Sequence, residues 1–385
     1  MNFNDRIYMS ILWHTKRVWQ YMFLRKNIII RKRTILLLRL DGIGDYVLFR
    51  NFIKEIKKSE EYKNYSITLC GNIIWKDIAT AFDCEEIDKF IWIDKNKFKI
   101  ENLKYYFTKI ASIHFGRFEI LIHPTFSRDK IAETIVKYSG AKYKIGNTGD
   151  CTNLSCEDKI IYNKCYDKLL PASVNVLFEF ERNKEFFNNL LGCEIKLKKP
   201  VIEIPSSNAF KQDYIIIFLG STSENRRWHW NNYKNLIDLI LKKYNGEIII
   251  CGGDDVAEAA NNIMGANSKR LLNMVGETSL YELILYINKA QMVITNDTCA
   301  LHIAAATGTK VVCASNGNSF GRFVPYPDYA SNKVKFVFVD EIENNLQDFV
   351  QLSNKYNMYS DLDINKISYL DVFRVIEQFF LNEVD

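Results

Sequence analysis

The sequence predicts an α/β protein built from two doubly wound parallel sheets in series, preceded by a basic amphipathic helix. Three observations predict it. Short apolar segments without alternation recur along the chain, as expected of strands buried on both faces of a parallel sheet. Amphipathic stretches of helical length fill the gaps between them. The pattern runs through twice, and 385 residues exceed what one core comfortably holds. In such sheets, ligands belong at the carboxyl ends of the strands.

The elements follow in order. Residues 1–33 form the arm. Ile7, Tyr8, Ile11, Leu12, Val18, Trp19, Met22 and Phe23 fall on one side of a helical wheel, and Arg6, Lys16, Arg17 and Gln20 on the other. Such a helix suits a membrane interface, and equally a dock on the protein's own body or on a second subunit. The first domain, 34–208, has strands expected at 34–40, 65–70, 89–93, 118–122 and 142–146. Helices are expected at 46–58, 74–82, 99–112 and 129–139, and a less regular stretch from 147 contains a helical run over 174–191. Pro205-Ser206-Ser207-Asn208 reads as the linker. The second domain, 209–360, has strands at 214–219, 247–251, 291–295, 310–314 and 334–339. Its helices are expected at 231–244, 255–264, 278–289, 298–307 and 343–353, and 361–385 reads as a terminal helix.

Charge and cysteines narrow the function. The net charge of +5 is concentrated in the arm, where residues 1–33 hold eight basic residues and one acid. A basic arm on a near-neutral body argues for a local surface contact and against nucleic acid. No window approaches ~18 apolar residues free of charge, so no transmembrane helix is expected, and no secretory signal is visible. Nine scattered cysteines, several in apolar contexts such as Cys70, Cys251 and Cys313, suit buried thiols in a reducing cytoplasm. Cys151, Cys156 and Cys165 lie close in sequence but lack the paired knuckle of a zinc site.

Three strand-to-helix turns carry the chemistry. Asp41-Gly42-Ile43-Gly44-Asp45 follows an apolar strand. It resembles a dinucleotide turn but fits poorly: the third glycine position is Val47, and the next strand ends in Cys70-Gly71-Asn72 without an acid for a ribose. Asp45 at a helix start stays ionised and can accept a proton, or it simply caps the helix. Gly220-Ser221-Thr222-Ser223-Glu224-Asn225-Arg226-Arg227-Trp228 pairs hydroxyls with arginines, a combination suited to phosphate, although solvated loop arginines are common. Asn296-Asp297-Thr298-Cys299-Ala300-Leu301-His302 opens a helix of small residues whose N–H groups can meet a diphosphate. His302 lies about one turn in and reads either as a ligand-binding or as a buried, satisfied histidine. Gly252-Gly253-Asp254-Asp255, at another strand end, can hold nucleoside or sugar hydroxyls. Asp361-Leu362-Asp363 has the letters of a metal-binding D-x-D but precedes a terminal helix and reads as a cap.

Taken together, these segments resemble glycosyltransferase family 9, the bacterial heptosyltransferases of lipopolysaccharide assembly, over about residues 34–330. The Gly-Asp ending the family's first-strand motif is Gly44-Asp45. The donor loop corresponds to Ser221, Thr222, Arg226 and Trp228, with Arg226 where the family usually has Lys. Asp-Thr-Gly-x-x-His corresponds to Asp297-Thr298-Cys299-Ala300-Leu301-His302, with Cys299 in place of Gly. Asn316-Gly317-Asn318-Ser319 replaces the usual Gly-Pro-Thr. The resemblance implies a GT-B plan, two Rossmann-like domains facing a cleft, and inverting transfer without metal or other cofactor. It also implies a nucleotide-diphosphate sugar co-substrate, ADP-linked, and a glycan or glycolipid acceptor. Asp45 would be the base. Ser221, Thr222, Arg226, Arg227, Trp228, Gly253, Asp254, Asp297, Thr298 and His302 would hold the donor, with Gly321–Pro325 closing over it. Gly42, Gly44, His123 and Arg128 would lie on the acceptor side. The arm would dock a cytoplasmic enzyme on the inner membrane. The competing readings are a GT-B sugar-nucleotide epimerase, a non-catalytic protein that kept the fold, and a nicotinamide dehydrogenase.

Overall fold

The computed structural model describes residues 29–205, 212–265 and 269–379. The expected arm helix, the end of the terminal helix and most of the expected linker lie outside them.

Two compact units are present. The first takes the described residues up to Gly42, Phe52–Ser173 and Arg182–Ile195; the second takes Ile43–Asn51, Val174–Glu181 and the described residues from Lys196 onward. The first sheet comprises β1 (Arg31–Arg39), β2 (Ser66–Asn72), β3 (Lys89–Ile93), β4 (Phe118–His123), β5 (Tyr143–Asn147) and β6 (Lys168–Leu170). Its order is β3-β2-β1-β4-β5-β6, with every pair parallel. The second comprises β7 (Tyr214–Phe218), β8 (Glu247–Cys251), β9 (Leu271–Asn273), β10 (Met292–Asn296), β11 (Lys310–Ser315) and β12 (Val334–Phe338). Its order, β12-β11-β10-β7-β8-β9, is the same topology, again all parallel. Each sheet therefore reverses direction once, between β1 and β4 and between β7 and β10.

The helices, in chain order, are α1 (Ile43–Phe49), α2 (Asn51–Lys58), α3 (Lys76–Phe82), α4 (Leu103–His114), α5 (Lys130–Tyr138), α6 (Cys156–Asn163) and α7 (Glu179–Leu191). They continue with α8 (Trp230–Lys243), α9 (Ala257–Met264), α10 (Leu280–Lys289), α11 (Cys299–Thr307), α12 (Asp340–Glu343), α13 (Phe349–Tyr356) and α14 (Tyr369–Phe379). Local signals set their ends. Asp129 accepts from the Ile131 and Ala132 amides to start α5. Ser279 and Glu282 form a reciprocal cap on α10. Gly308, at φ +72°, turns the chain out of α11. The central strands carry the cores: Ile35–Leu38 in the first sheet and Ile215–Ile217 in the second have no solvent exposure.

Several expectations change. The single helix expected over 46–58 is two, broken at Arg50. The break lets α1 bury Tyr46, Val47, Leu48 and Phe49 in the second unit and α2 bury Phe52, Ile53 and Ile56 in the first. Edge strands β6 and β9 have three residues each, too few for a periodicity to register, and α6 buries none of its residues and so lacks an amphipathic stripe. Cys70, Cys251 and Cys313 are buried thiols, but Cys84 and Cys193 are exposed. The all-thiol reading is corrected for Cys151 and Cys156, which form a disulfide across the turn leading into α6. Among the described residues, no helix is long and apolar enough to cross a membrane.

Candidate active site

The second sheet reverses direction between β7 and β10, and its polar groups gather at their carboxyl ends. Asn296, the last residue of β10, is fully buried. Its carboxamide oxygen accepts from the Trp228 amide at 3.1 Å and the Tyr233 hydroxyl at 2.9 Å. Its nitrogen donates to the Leu219 carbonyl at 3.0 Å. Two of these bonds tie the loop after β7, and the third ties α8, to the end of β10.

That loop presents Arg226. Its Nη1 lies 3.2 Å from Asp297 Oδ2, and Asp297 is 2% exposed. Burial raises the Asp297 carboxyl above its ordinary range, and the Arg226 charge opposes the rise. Arg226 Nε is buried without a hydrogen-bond partner among the described residues. The guanidinium therefore has donor capacity left over, as an anion-binding arginine requires. Ser221 is buried, with its hydroxyl 3.4 Å from the Asp297 carbonyl, while Thr222 is exposed.

Arg227 and Trp228 have partners of their own. Arg227 donates twice to the Ser221 carbonyl, at 2.8 and 2.6 Å, and pairs with Asp255. Trp228 is buried, donates its indole N–H to the Ile367 carbonyl at 3.0 Å and meets the Tyr233 ring edge-on. Both hold the loop in place. Gly253 and Asp254 are exposed at the end of β8, and a side chain at Gly276 would collide with the Asp254 carboxylate.

Thr298 occupies the N-cap of α11 without its hydroxyl capping the helix, so the first N–H groups remain for another acceptor. His302, one turn in, is buried with Nδ1 2.7 Å from the Tyr326 hydroxyl. Burial, aided by the Arg226 charge, pushes its pKa down to about 3, so the ring is neutral. The imidazole lies against Gly44: a methyl there would stand 2.5 Å from Cδ2. Asp45, half-buried in the first turn of α1, is the next residue. Gly44, Asp45, Ser221, Arg226, Asp297, Thr298 and His302 thus belong to one compact unit.

In the first unit, Gly42 follows the Arg39–Asp41 ion pair of 2.7 Å at the end of β1. His123 ends β4, fully buried, with Nδ1 2.7 Å from the Tyr166 hydroxyl and its pKa pushed down to about 3 by burial and Arg128. Arg128, expected to meet an acceptor, is fully buried instead. Its guanidinium pairs with Glu133 at 3.2 Å, donates to Asn163 and lies over the Tyr166 ring, while Nε and Nη1 lack a hydrogen-bond partner among the described residues. Burial pushes the Glu133 carboxyl up to about 7 against the pull of Arg128.

Residues 177–341 match the family described as Glycosyltransferase family 9 (heptosyltransferase). Those residues are a family 9 glycosyltransferase domain. The protein is therefore a glycosyltransferase. The fold agrees. A family 9 glycosyl transferase structure from Veillonella parvula matches with TM-score 0.68 at 17% identity, covering 92% of this chain and 99% of that one. Escherichia coli ADP-heptose lps heptosyltransferase II matches with TM-score 0.64 at 14% identity, covering 91% and 100%. E. coli heptosyltransferase WaaC with ADP matches with TM-score 0.67 at 12% identity, covering 90% and 99%. No curated protein matches the sequence.

Three residues of this glycosyltransferase had no role of their own in the sequence reading. Asn296 and Asn316 stood in turns it singled out, each at or directly after the end of a strand. Asn316 donates to the carbonyls of Asn225 and Leu362, tying the donor loop to the segment before α14. Tyr326 carried no motif at all. Asp363 caps a short helical turn by accepting from the Asn365 amide at 3.0 Å, as a cap reading of Asp361-Leu362-Asp363 requires. Arg322, within Gly321–Pro325, pairs with Glu179 at 3.5 Å.

Proposed function

We propose that this glycosyltransferase is inverting and metal-independent, moving a heptose-like sugar from a nucleotide-diphosphate donor to a lipopolysaccharide-core or other cell-surface glycan. The observation that carries the reading is Arg226 at the strand reversal of the second sheet, held by Asp297 and keeping a buried donor in reserve. Ser221, Thr222, Arg226 and the uncapped start of α11 at Asp297–Thr298 bind the diphosphate. These fixed donors supply the charge stabilisation that the leaving group needs. Gly253 and Asp254 hold the nucleoside or sugar hydroxyls. Two of the similar structures are named for ADP-heptose or carry ADP, which supports an ADP-linked donor.

Asp45 is the general base. As the acceptor oxygen bonds to the anomeric carbon, Asp45 takes the hydroxyl proton. The bond from that carbon to the phosphate oxygen breaks, and the nucleoside diphosphate leaves with the electron pair. Gly42, Gly44 and His123 lie on the acceptor side in this reading. Arg128 serves it only by holding Glu133 and Tyr166 around His123. Residues 1–33 bring this cytoplasmic enzyme to the inner membrane surface, where a glycolipid acceptor is met; no nucleic acid is involved.

The test is a panel of ADP-, UDP-, GDP- and CMP-linked sugars with a lipopolysaccharide-core acceptor. Nucleotide release and the anomeric configuration of the product are measured. Transfer with inversion, abolished in Asp45→Asn while nucleotide affinity stays within a few fold, is the expected result. Retention of configuration, or wild-type turnover in Asp45→Asn, would sink the reading.

A further inference from the structure

The contact between Tyr326 and His302 has a role that the transfer scheme leaves open. The Tyr326 hydroxyl lies 2.7 Å from His302 Nδ1, and both residues are buried. Burial holds the phenol's pKa well above its ordinary value, so it keeps its proton. The imidazole is neutral and carries one proton, on Nδ1 or on Nε2. If Nδ1 carried it, the phenol would accept this bond and its own O–H would need another acceptor. Among the described residues, the Tyr326 hydroxyl has no other hydrogen-bond partner. A buried hydroxyl proton without an acceptor is costly. With the proton on Nε2, one bond satisfies both groups: Tyr326 O–H donates to Nδ1.

The surroundings make this arrangement rigid. Phe178 packs edge-on against the Tyr326 ring with centroids 4.9 Å apart, and Phe323 does the same to His302 at 5.8 Å. The loop carrying Phe323 and Tyr326 is pinned at its base, where the Glu179 amide donates to the Arg322 carbonyl at 2.7 Å and the Gly321 amide to the Val324 carbonyl at 2.6 Å. The imidazole edge bearing Cδ2 and Nε2 faces Gly44, where an added methyl would be 3.1 Å from Nε2.

We infer that Tyr326 is a positioning residue that locks His302 as the Nε2–H tautomer, giving the site a neutral hydrogen-bond donor where α1 and Asp45 begin. Its consequence rests on the transfer reading: Nε2–H donates to an oxygen of the donor's diphosphate. The tautomer itself can be observed without turnover.

Tyr326→Phe keeps the ring and the Phe178 contact and removes only the hydroxyl. Nitrogen-15 spectra of the histidine-labelled protein report which ring nitrogen carries the proton, and His302→Gln assigns the His302 signal among the five histidines. The expected wild-type spectrum has Nδ1 unprotonated and Nε2 protonated, with the two forms mixed in Tyr326→Phe. In the transfer assay, Tyr326→Phe lowers kcat by roughly tenfold, less than the ~10²–10⁴-fold of a positioned acid or base, because Tyr326 acts through His302. His302→Gln, whose amide copies Nε2–H, retains more activity than His302→Asn, which copies Nδ1. A protonated Nδ1 in the wild type, or an unchanged tautomer in Tyr326→Phe, overturns the inference whether or not sugar is transferred. The expected tautomer in a protein that transfers no sugar from any donor would overturn only the transfer reading.

Discussion

Replacing Gly44 with Ala should disturb His302 through space alone. Gly44 has no positive φ, so the backbone tolerates a side chain. The new methyl would stand 2.5 Å from Cδ2, 3.1 Å from Nε2 and 3.4 Å from Cγ of His302. Carbon atoms pack at ~3.5 Å or more, so the ring must retreat by about 1 Å. It has little room: Nδ1 holds the Tyr326 hydroxyl at 2.7 Å, and Phe323 flanks the ring. Overpacking of this kind costs ~1–3 kcal/mol, and weakening the hydrogen bond adds up to ~1 kcal/mol. Alanine's better helix propensity returns up to ~1 kcal/mol. The net expectation is a loss of ~1–3 kcal/mol in urea denaturation, together with weaker binding of nucleoside diphosphate. Gly308→Ala serves as the control, because its φ of +72° imposes strain while nothing lies within 4 Å of the new methyl. It should lose ~1 kcal/mol or somewhat more and keep its nucleotide affinity. In a His302→Ala background, the Gly44→Ala loss should shrink, since the collision partner is gone. Equal losses in both backgrounds would refute the steric argument, as would a Gly44→Ala variant as stable and active as the wild type.

Arg226→Ala should weaken nucleoside diphosphate binding by ~1.5–3 kcal/mol, the worth of a hydrogen bond to a charged group; unchanged affinity by calorimetry would remove Arg226 from the site. Asn296→Ala should destabilise by ~3 kcal/mol or more in urea, because it strands the Trp228 amide, the Tyr233 hydroxyl and the Leu219 carbonyl at once; a loss below ~1 kcal/mol would contradict the burial of all three. Glu133 has a folded pKa of about 7 against an ordinary 4.5, so the folded state binds the extra proton between those values. Its contribution therefore falls as pH rises from about 4.5 to 7. Measured over that window, Glu133→Gln should gain stability relative to wild type with rising pH, and a flat difference would refute the shift. Alkylation of the unfolded, unreduced chain should spare Cys151 and Cys156 alone among the nine cysteines; full modification would show the pair unjoined.

The parts of this fold that were legible beforehand share one property: their signal is local. β1, β7 and β10 are apolar runs whose burial follows from composition, and the turns after them are polar at once. The candidate residues Asp45, Arg226, Asp297 and His302 stand next to such turns, which is why strand ends pointed to them. What escaped depends on distant partners. Arg128 was placed on the acceptor side because the sequence does not show that nearby Glu133 and distant Asn163 fold around its guanidinium. Trp228 and Arg227 looked like ligands for the same reason, though Ile367 and Asp255 hold them. The break at Arg50 was invisible because the apolar spacing runs through it without interruption, and only the different partners of α1 and α2 require it.

That break has a practical consequence for anyone dissecting the enzyme. Helix α11 is buried on every side from Ala300 through Ala306, mostly by small and apolar residues, so the sheet alone cannot shelter it. The remaining cover comes from α10 and from α1, the latter a piece of chain encoded more than two hundred residues upstream. A fragment beginning at Lys196 would expose that greasy surface and precipitate, whereas the same fragment supplied with a peptide spanning 43–51 should be recoverable in solution.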